Sequence, residues 1–108
     1  MPTSTAPDVV VTAARILKVL GNAQRLLIVC RLAQGTCTVG HLQDVTNLSQ
    51  SALSQHLALL RRHDLVTFER DGTRIYYELA HPVLPDIMRI LKEHFGCVEE
   101  IERNLQKA

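Results

Sequence analysis

Three cysteines, Cys30, Cys37 and Cys97, carry the most reactive side chains of this 108-residue chain. A thiolate is a nucleophile, a redox centre and a ligand for soft metals. The chain has no Cys-x-x-Cys pair, and disulfides are rare in the cytosol, so the thiols are either packed in a core or used in chemistry. Three thiols, from one chain or shared with a two-fold mate, also provide a trigonal site for arsenite or a soft cation such as Cd(II).

The sequence offers little support for an enzyme. A peroxidase or reductase with Cys37 as nucleophile needs supporting groups, yet no Gly-rich phosphate loop or supported Ser/His/Asp arrangement is present. We therefore predict a protein that is not an enzyme and uses no cofactor. A protein-interaction module built on an apolar last helix is another alternative, but it leaves the polar helix described next unexplained.

A second set of chemically versatile side chains lies within the segment from Asn47 to Gly72. Ser49 is a natural N-cap, and Leu53, Leu57 and Leu60 recur at spacings of four and three, which predicts an amphipathic helix. On its opposite face, glutamine and serine suit base edges, alanine suits a thymine methyl group, and arginine suits phosphate. The predicted DNA-binding residues of this helix are Ser49, Gln50, Ser51, Ser54, Gln55, Ala58, Arg61 and Arg62.

A β-hairpin is predicted directly after this helix. From Leu65 to Leu79, apolar and polar residues alternate around Asp71-Gly72, a dipeptide that favours a two-residue type I′ turn. Arg70 and Arg74 at the tip are predicted to reach a flanking phosphate or the minor groove. Counting outward from the turn pairs Glu69 with Arg74, Phe68 with Ile75, and Val66 with Tyr77.

Further helices are predicted on both sides of this unit. The first runs from Val9 to Leu20. The second is opened by Asn22 and runs to Gln34, with a Leu26, Val29, Ala33 core face and Gly35 after its end. The third is capped by Thr38 and runs to Val45, before a Thr46-Asn47 turn. The last runs from Pro82 to Lys107, and Pro85 and Gly96 leave its start and middle open. The short third helix and the polar fourth helix together indicate a helix-turn-helix. On the last helix a heptad pattern runs through Ile87, Leu91, His94, Val98, Ile101 and Leu105. This seam is too short for a free coiled coil, so the terminal helices are predicted to join two copies of the chain; the alternative is that both helices cover the core of a monomer.

Length and composition agree with one compact domain. Residues 1–8 are predicted to be a flexible tail and residues 9–108 the domain, with 46% hydrophobic residues forming an aliphatic helical core. No apolar run approaches a membrane span, and residues 1–8 do not resemble a secretory leader, so a cytoplasmic location without membrane contact is predicted. Because the net charge is only +1, DNA binding must depend on a local basic patch, and a dimer doubles its phosphate contacts.

The order of these elements matches a known family. Together with Asn22-Ala23-Gln24-Arg25-Leu26-Leu27-Ile28 and Leu48-Ser49-Gln50-Ser51-Ala52-Leu53-Ser54-Gln55-His56-Leu57, it closely resembles the ArsR/SmtB family of bacterial winged-helix repressors over about residues 9–98. The resemblance implies a mainly α winged helix-turn-helix with a β-hairpin wing. It also implies a homodimer, joined through its terminal helices, that binds double-stranded operator DNA at an inverted repeat and leaves when a small inducer binds.

The resemblance also assigns roles to the thiols. Cys30 and Cys97 are similar to the cysteine pair of the BigR/SqrR-like subgroup, in which reactive sulfur species or oxidants link two thiols and release the DNA. Thr38 and Gly40 stand where metal-sensing members have a Cys-x-Cys pair, so no metal site is predicted in the main interpretation. Cys37 is expected to be exposed, as a bystander or a resolving thiol. The alternative is a repressor that responds to arsenite or a soft metal through Cys30, Cys37 and Cys97.

Overall fold

Five helices and a three-stranded sheet make up residues 6–96, the part of the chain that the computed structural model describes. The elements are α1 (Ala6–Leu20), α2 (Ala23–Leu32), β1 (Cys37–Thr38), α3 (Val39–Thr46), α4 (Gln50–Arg62), β2 (Val66–Asp71), β3 (Arg74–Leu79) and α5 (Val83–Phe95). The predicted order of four helices, a hairpin and a fifth helix is confirmed, and β1 is an addition to it. Residues 1–5 and 97–108 lie outside the described residues.

The core is formed by aliphatic side chains from all the helices and from the sheet. The stripe of α4 predicted to face inward is buried, since Leu53 and Leu60 have no exposed surface and Leu57 is 3% exposed. The predicted core face of α2 is partly wrong: Val29 is buried, but Ala33 is exposed. Leu27, Ile28, Cys30 and Leu32 of α2 are also buried. They point to different sides of the helix, because α1, α3, α4, α5 and β3 all pack against it.

Side-chain caps and chain breaks explain most of the helix ends. Asn22 Oδ1 accepts hydrogen bonds from the backbone N–H groups of Gln24 and Arg25 at 3.0 and 3.1 Å, which begins α2 at the predicted residue. The first helix begins at Ala6 and not at Val9, so it takes in the end of the segment predicted to be a tail. None of the helices within residues 6–96 combines the length and apolar character needed to cross a bilayer.

The last helix differs from its prediction at its end. It begins at Val83, and Pro85 fits within the first turn, where backbone N–H groups have no partner inside the helix. It ends at Phe95 because Gly96 takes a φ of 107°, outside the helical region. The continuous helix predicted from Pro82 to Lys107 is therefore wrong. Three members of the predicted heptad seam, Val98, Ile101 and Leu105, lie outside the described residues.

The hairpin forms where predicted, but in a different register. Its turn is Gly72-Thr73 and not Asp71-Gly72, with Gly72 at a φ of 66°. A positive φ at the first turn residue alone is the pattern of a Gly-x type II′ turn. The observed pairs are Asp71 with Arg74, Arg70 with Ile75, Glu69 with Tyr76, Phe68 with Tyr77, Thr67 with Glu78 and Val66 with Leu79. Each β2 residue therefore pairs two residues further along β3 than predicted.

Candidate DNA-binding surface and thiol site

The helix-turn-helix is built by two side-chain caps and one left-handed residue. Thr38 Oγ1 accepts a hydrogen bond from the N–H of His41 at 3.2 Å and begins α3. Asn47 ends α3 with a φ of 57°, a conformation that asparagine adopts more readily than most residues. Ser49 Oγ accepts a hydrogen bond from the N–H of Ala52 at 3.1 Å and begins α4. The fourth helix therefore follows the third after a turn of residues 47–49 alone.

The outer face of α4 carries the side chains that the sequence assigned to DNA. We call this set the reading face; its members are all exposed, and they are Ser49, Gln50, Ser51, Ser54, Gln55, Ala58, Arg61 and Arg62. Helical spacing stacks Ser51, Ser54, Ala58 and Arg62 on successive turns. The reading face is thus available to a partner, while the leucines of the opposite stripe anchor α4 in the core.

The hairpin of β2 and β3, here called the wing, places its two arginines on different sides. Arg70 pairs with Ile75, whereas Arg74 pairs with Asp71. Cross-strand partners share a face and successive residues alternate, so Arg70 and Arg74 leave the wing from opposite faces. Both side chains are exposed. Of the two arginines, only Arg74 has an acidic residue, Asp71, as its cross-strand partner.

A groove of about 850 Å³ is bordered by α3, α4 and the wing, with Asp44 of α3 among its lining residues. Gln50, Ser54, Ala58 and Arg61 line it from α4, and Arg74 lines it from β3. The structure therefore brings residues of the reading face and of the wing to one concave surface. Two arginines and several hydrogen-bonding side chains in such a groove match the chemistry of a nucleic-acid backbone.

Arg61 has a partner that the sequence analysis did not find. Its guanidinium carbon lies 4.9 Å from the centroid of the Phe68 ring in β2, within the range of a cation–π interaction. The Phe68 ring in turn lies 5.5 Å from the ring of Tyr77, its cross-strand partner. No spacing in the sequence indicates the Arg61–Phe68 contact, because it depends on how the wing folds back against α4.

A second contact missed by the sequence analysis joins three helices. Arg25 Nε donates a hydrogen bond to the carbonyl of Val19 at 2.6 Å, and Arg25 Nη1 lies 3.5 Å from Nδ1 of His56 in α4. Burial, followed by the positive charge of Arg25, lowers the pKa of His56 below its ordinary value. Neutral His56 can accept from the guanidinium, whereas protonated His56 cannot.

We expect this contact to weaken in acid. Because the pKa of His56 is lower in the folded than in the unfolded chain, the unfolded state binds more protons below about pH 6.5, and the stability present above that pH is lost as the pH falls. His56→Gln keeps an acceptor for Arg25 without titrating. Thermal melts at pH 7.5 and 5.5 should show a larger fall in Tm for the wild type than for His56→Gln; equal falls would contradict the assignment.

Both cysteines among the described residues are buried. Cys30 is 5% exposed, and its thiol donates a hydrogen bond to Sδ of Met88 in α5 at 3.3 Å. Cys37 is 4% exposed, so the expectation of an exposed Cys37 is wrong. The cause is β1, in which Cys37 pairs with Tyr77 and packs with it in the hydrophobic core. Cys97 lies outside the described residues, and its pairing with Cys30 stays a prediction.

Cys30 borders two cavities between α2 and α5, of about 270 and 280 Å³. Both are also lined by Met88 and Lys92. Gly96, the last described residue, lines the second of them. In the sequence, Cys97 therefore directly follows a residue that lines a cavity beside Cys30.

The described residues do not form a metal site by themselves. Within residues 6–96, no three His, Cys, Asp or Glu side chains are grouped so that they could hold a metal ion. On α5, Asp86 and Glu93 lie 3.5 and 3.6 Å from the guanidinium of Arg89. Cys97 of the trio Cys30, Cys37 and Cys97 lies outside the described residues, so that alternative stays a prediction.

Comparison with known proteins places the chain in a family. A model of the "Bacterial regulatory protein, arsR family" matches residues 22–67. The transcriptional activator HlyU of Vibrio cholerae is 39% identical over 79 residues, which span 73% of this chain and 73% of HlyU. The biofilm growth-associated repressor of Agrobacterium fabrum is 36% identical over 87 residues, which span 81% of this chain and 74% of that repressor.

A comparison with solved structures agrees with the family found from the sequence. The structure of reduced HlyU from Vibrio cholerae matches with a TM-score of 0.76 at 36% identity, covering 79% of this chain and 90% of HlyU. These relatives regulate transcription and are not enzymes, as the sequence predicted. Given a capped helix-turn-helix with an exposed polar reading face beside a wing, this chain belongs to the ArsR family and is a winged-helix DNA-binding regulator of transcription.

Proposed function

We propose that this protein is a cytoplasmic homodimeric repressor that leaves its operator when reactive sulfur species or oxidants link Cys30 to Cys97. The single observation that carries the proposal is the position of Cys30, which lies beneath α5 with its thiol 3.3 Å from Met88 and shares a cavity with Gly96. A cross-link at this point would join a helix of the DNA-binding core to the end of α5.

DNA binding is assigned to the reading face and the wing. We propose that the reading face of each protomer enters the major groove of one half-site, and that Arg70 and Arg74 of the wing contact flanking DNA. The support is that all these side chains are exposed and that members of both groups line one groove.

The dimer is assigned to the terminal helices. On α1, Val9, Val10, Val11 and Leu17 are between 56% and 61% exposed, and on α5 Phe95 is 76% exposed. So many large apolar side chains on two neighbouring helices favour an interface. A second copy covering them would give the symmetric arrangement that an inverted repeat requires.

The chemistry of the switch balances with the oxidant or the persulfide donor as its only co-reactant. With hydrogen peroxide, the two thiols give up two protons and two electrons, forming one S–S bond while the peroxide becomes two molecules of water. With a persulfide donor such as glutathione persulfide, Cys30 takes a sulfur atom and glutathione leaves; the Cys97 thiol then displaces hydrogen sulfide and forms the same bond. The link closes a loop over residues 31–96, which would restrain α2 against α5 and change the spacing of the two reading faces.

A binding titration with cysteine variants tests this proposal. Fluorescence anisotropy on labelled promoter DNA would compare reduced protein with protein treated by glutathione persulfide, hydrogen peroxide, arsenite or Cd(II). We expect the wild type and Cys37→Ser to lose about 5- to 150-fold in operator affinity with the sulfur donor or the peroxide, a typical allosteric coupling. Cys30→Ser and Cys97→Ser should keep their affinity.

The alternative, a repressor that responds to arsenite or a soft metal, predicts the opposite selectivity. Release by arsenite or Cd(II) in excess reductant, with loss of that response in Cys37→Ser, would favour a site of Cys30, Cys37 and Cys97 thiolates. The geometry favours the pair without Cys37, because Cys37 does not line either of the two cavities that border Cys30. Failure of the reduced protein to bind any promoter DNA would contradict the repressor function itself.

A further inference from the structure

We propose that Phe68 of the wing is a positioning residue that holds Arg61 of α4 ready for the DNA phosphate backbone. The proposal rests on the operator-binding role proposed above and assigns separate roles to two residues of the DNA-binding surface. Arg61 would bind phosphate in the groove between α4 and the wing, and its orientation would be set by an aromatic ring on a neighbouring strand.

The first step is the contact itself. Arg61 is exposed in the last turn of α4, where a long side chain ordinarily samples many rotamers. Its guanidinium carbon lies 4.9 Å from the centroid of the Phe68 ring. Guanidinium groups stack readily on aromatic faces, and the ring leaves the N–H donors at the edge of the group open to another partner. The contact therefore orders Arg61 before DNA arrives.

The second step is that the ring is itself fixed. Phe68 is half-buried and pairs with Tyr77, with the two ring centroids 5.5 Å apart and the ring planes at 42°. Tyr77 is 8% exposed, and its strand lies between β1 and β2 in the sheet. Cys37 pairs with Tyr77 on the other side. A ring anchored in this way is a stable platform for a flexible cation.

The third step is the direction of the ordered group. Arg61 and Arg74 line the same groove, one from α4 and one from β3. Gln50 and Ser54, which suit base edges, line it from nearer the N-terminal end of α4. Arg61 is thus in the last turn of α4, and the groove that it lines also has Arg74 on its β3 side, so two arginines border a space suited to a strand of phosphates.

A double-mutant cycle measured by operator affinity tests the proposal. We expect Phe68→Leu to weaken binding by roughly two- to fivefold, the size of an exposed cation–π contact. In the Arg61→Ala background the same change should have no further effect. Phe68→Tyr, which keeps a ring, should bind as the wild type does. A structural defect in the wing would instead weaken binding in every background.

The dependence on salt identifies phosphate as the ligand. Arg61→Ala should lower affinity equally for the promoter and for a scrambled duplex, and should reduce the slope of log K against log salt by about 0.9 for each phosphate that is no longer neutralised. Arg62→Ala serves as a matched background in which Phe68→Leu should keep its full effect. Circular dichroism melts of each variant establish that the wing is folded.

Two results would overturn the proposal while leaving operator binding intact: additive effects of Phe68→Leu and Arg61→Ala, or an Arg61→Ala loss confined to the promoter sequence, which would mean base contact. Absence of DNA binding by the reduced wild-type protein would overturn both this proposal and the proposed function.

Discussion

Replacing Ala58 with glutamate is expected to abolish most operator binding while leaving the fold unchanged. Ala58 is exposed at the centre of the reading face and lines the groove, with Ser54 one turn before it and Arg62 one turn after it. A carboxylate there would face the DNA phosphates and pair with Arg62. We expect a loss in affinity of at least about 100-fold, or about 2.7 kcal/mol, because the change occurs in both protomers of the proposed dimer.

A matched substitution separates this effect from a change of net charge. Ala80→Glu adds the same charge at an exposed position between β3 and α5, outside α4 and the wing tip. Anisotropy titrations at one salt concentration should leave its affinity within about threefold of the wild type. Equal losses in Ala58→Glu and Ala80→Glu would contradict the assignment of the reading face.

Truncating Leu53 to alanine is expected to cause one of the largest losses of stability among single changes in α4. Leu53 has no exposed surface and anchors the helix at the level of its second turn. Removing a fully buried leucine side chain costs the transfer energy of the lost atoms and leaves a cavity, so the free energy of unfolding should fall by about 2–5 kcal/mol. Urea denaturation at a fixed protomer concentration measures this quantity.

Leu59 offers the control in the same helix. It is only half-buried at the edge of the core, so Leu59→Ala removes the same atoms from a position that solvent already reaches. We expect its loss to be less than half that of Leu53→Ala. If Leu59→Ala destabilised the protein as much as Leu53→Ala, the predicted inward stripe of α4 would not be its anchoring face.

The features best predicted from the sequence are those encoded locally. Asn22, Thr38 and Ser49 each cap the helix that they were expected to cap, because an N-cap needs only a side-chain oxygen near the next backbone N–H groups. The inward stripe of α4 and its exposed polar face followed from helical periodicity alone. The reading face was therefore accessible without any tertiary information.

The register of the wing shows where a periodic pattern fails. Moving the partner strand by two residues keeps every side chain on its original face, so alternation of polar and apolar residues is the same in the predicted and observed registers. The turn alone decides between them. Asp71-Gly72 and Gly72-Thr73 are both acceptable turns from sequence, and the structure places Gly72 first, with its positive φ.

The environment of the thiols was the least predictable part of the candidate site. Burial of Cys37 depends on β1, a strand of only Cys37–Thr38 whose partner lies far along the chain in β3. The thiol–thioether contact between Cys30 and Met88 joins residues in α2 and α5, and nothing in either helix alone indicates it. The end of α5 at Gly96 was suggested by glycine, but the heptad pattern beyond it favoured a continuous helix.

The central claim is tested most directly by measuring operator affinity and the Cys30–Cys97 link in the same samples. Protein would be oxidised in steps with glutathione persulfide, and the linked fraction determined by mass spectrometry of peptides while anisotropy gives the fraction bound to promoter DNA. We predict that loss of binding rises in proportion to the linked fraction and is reversed by dithiothreitol. Fully linked protein that binds the operator with the affinity of reduced protein would contradict the proposed switch.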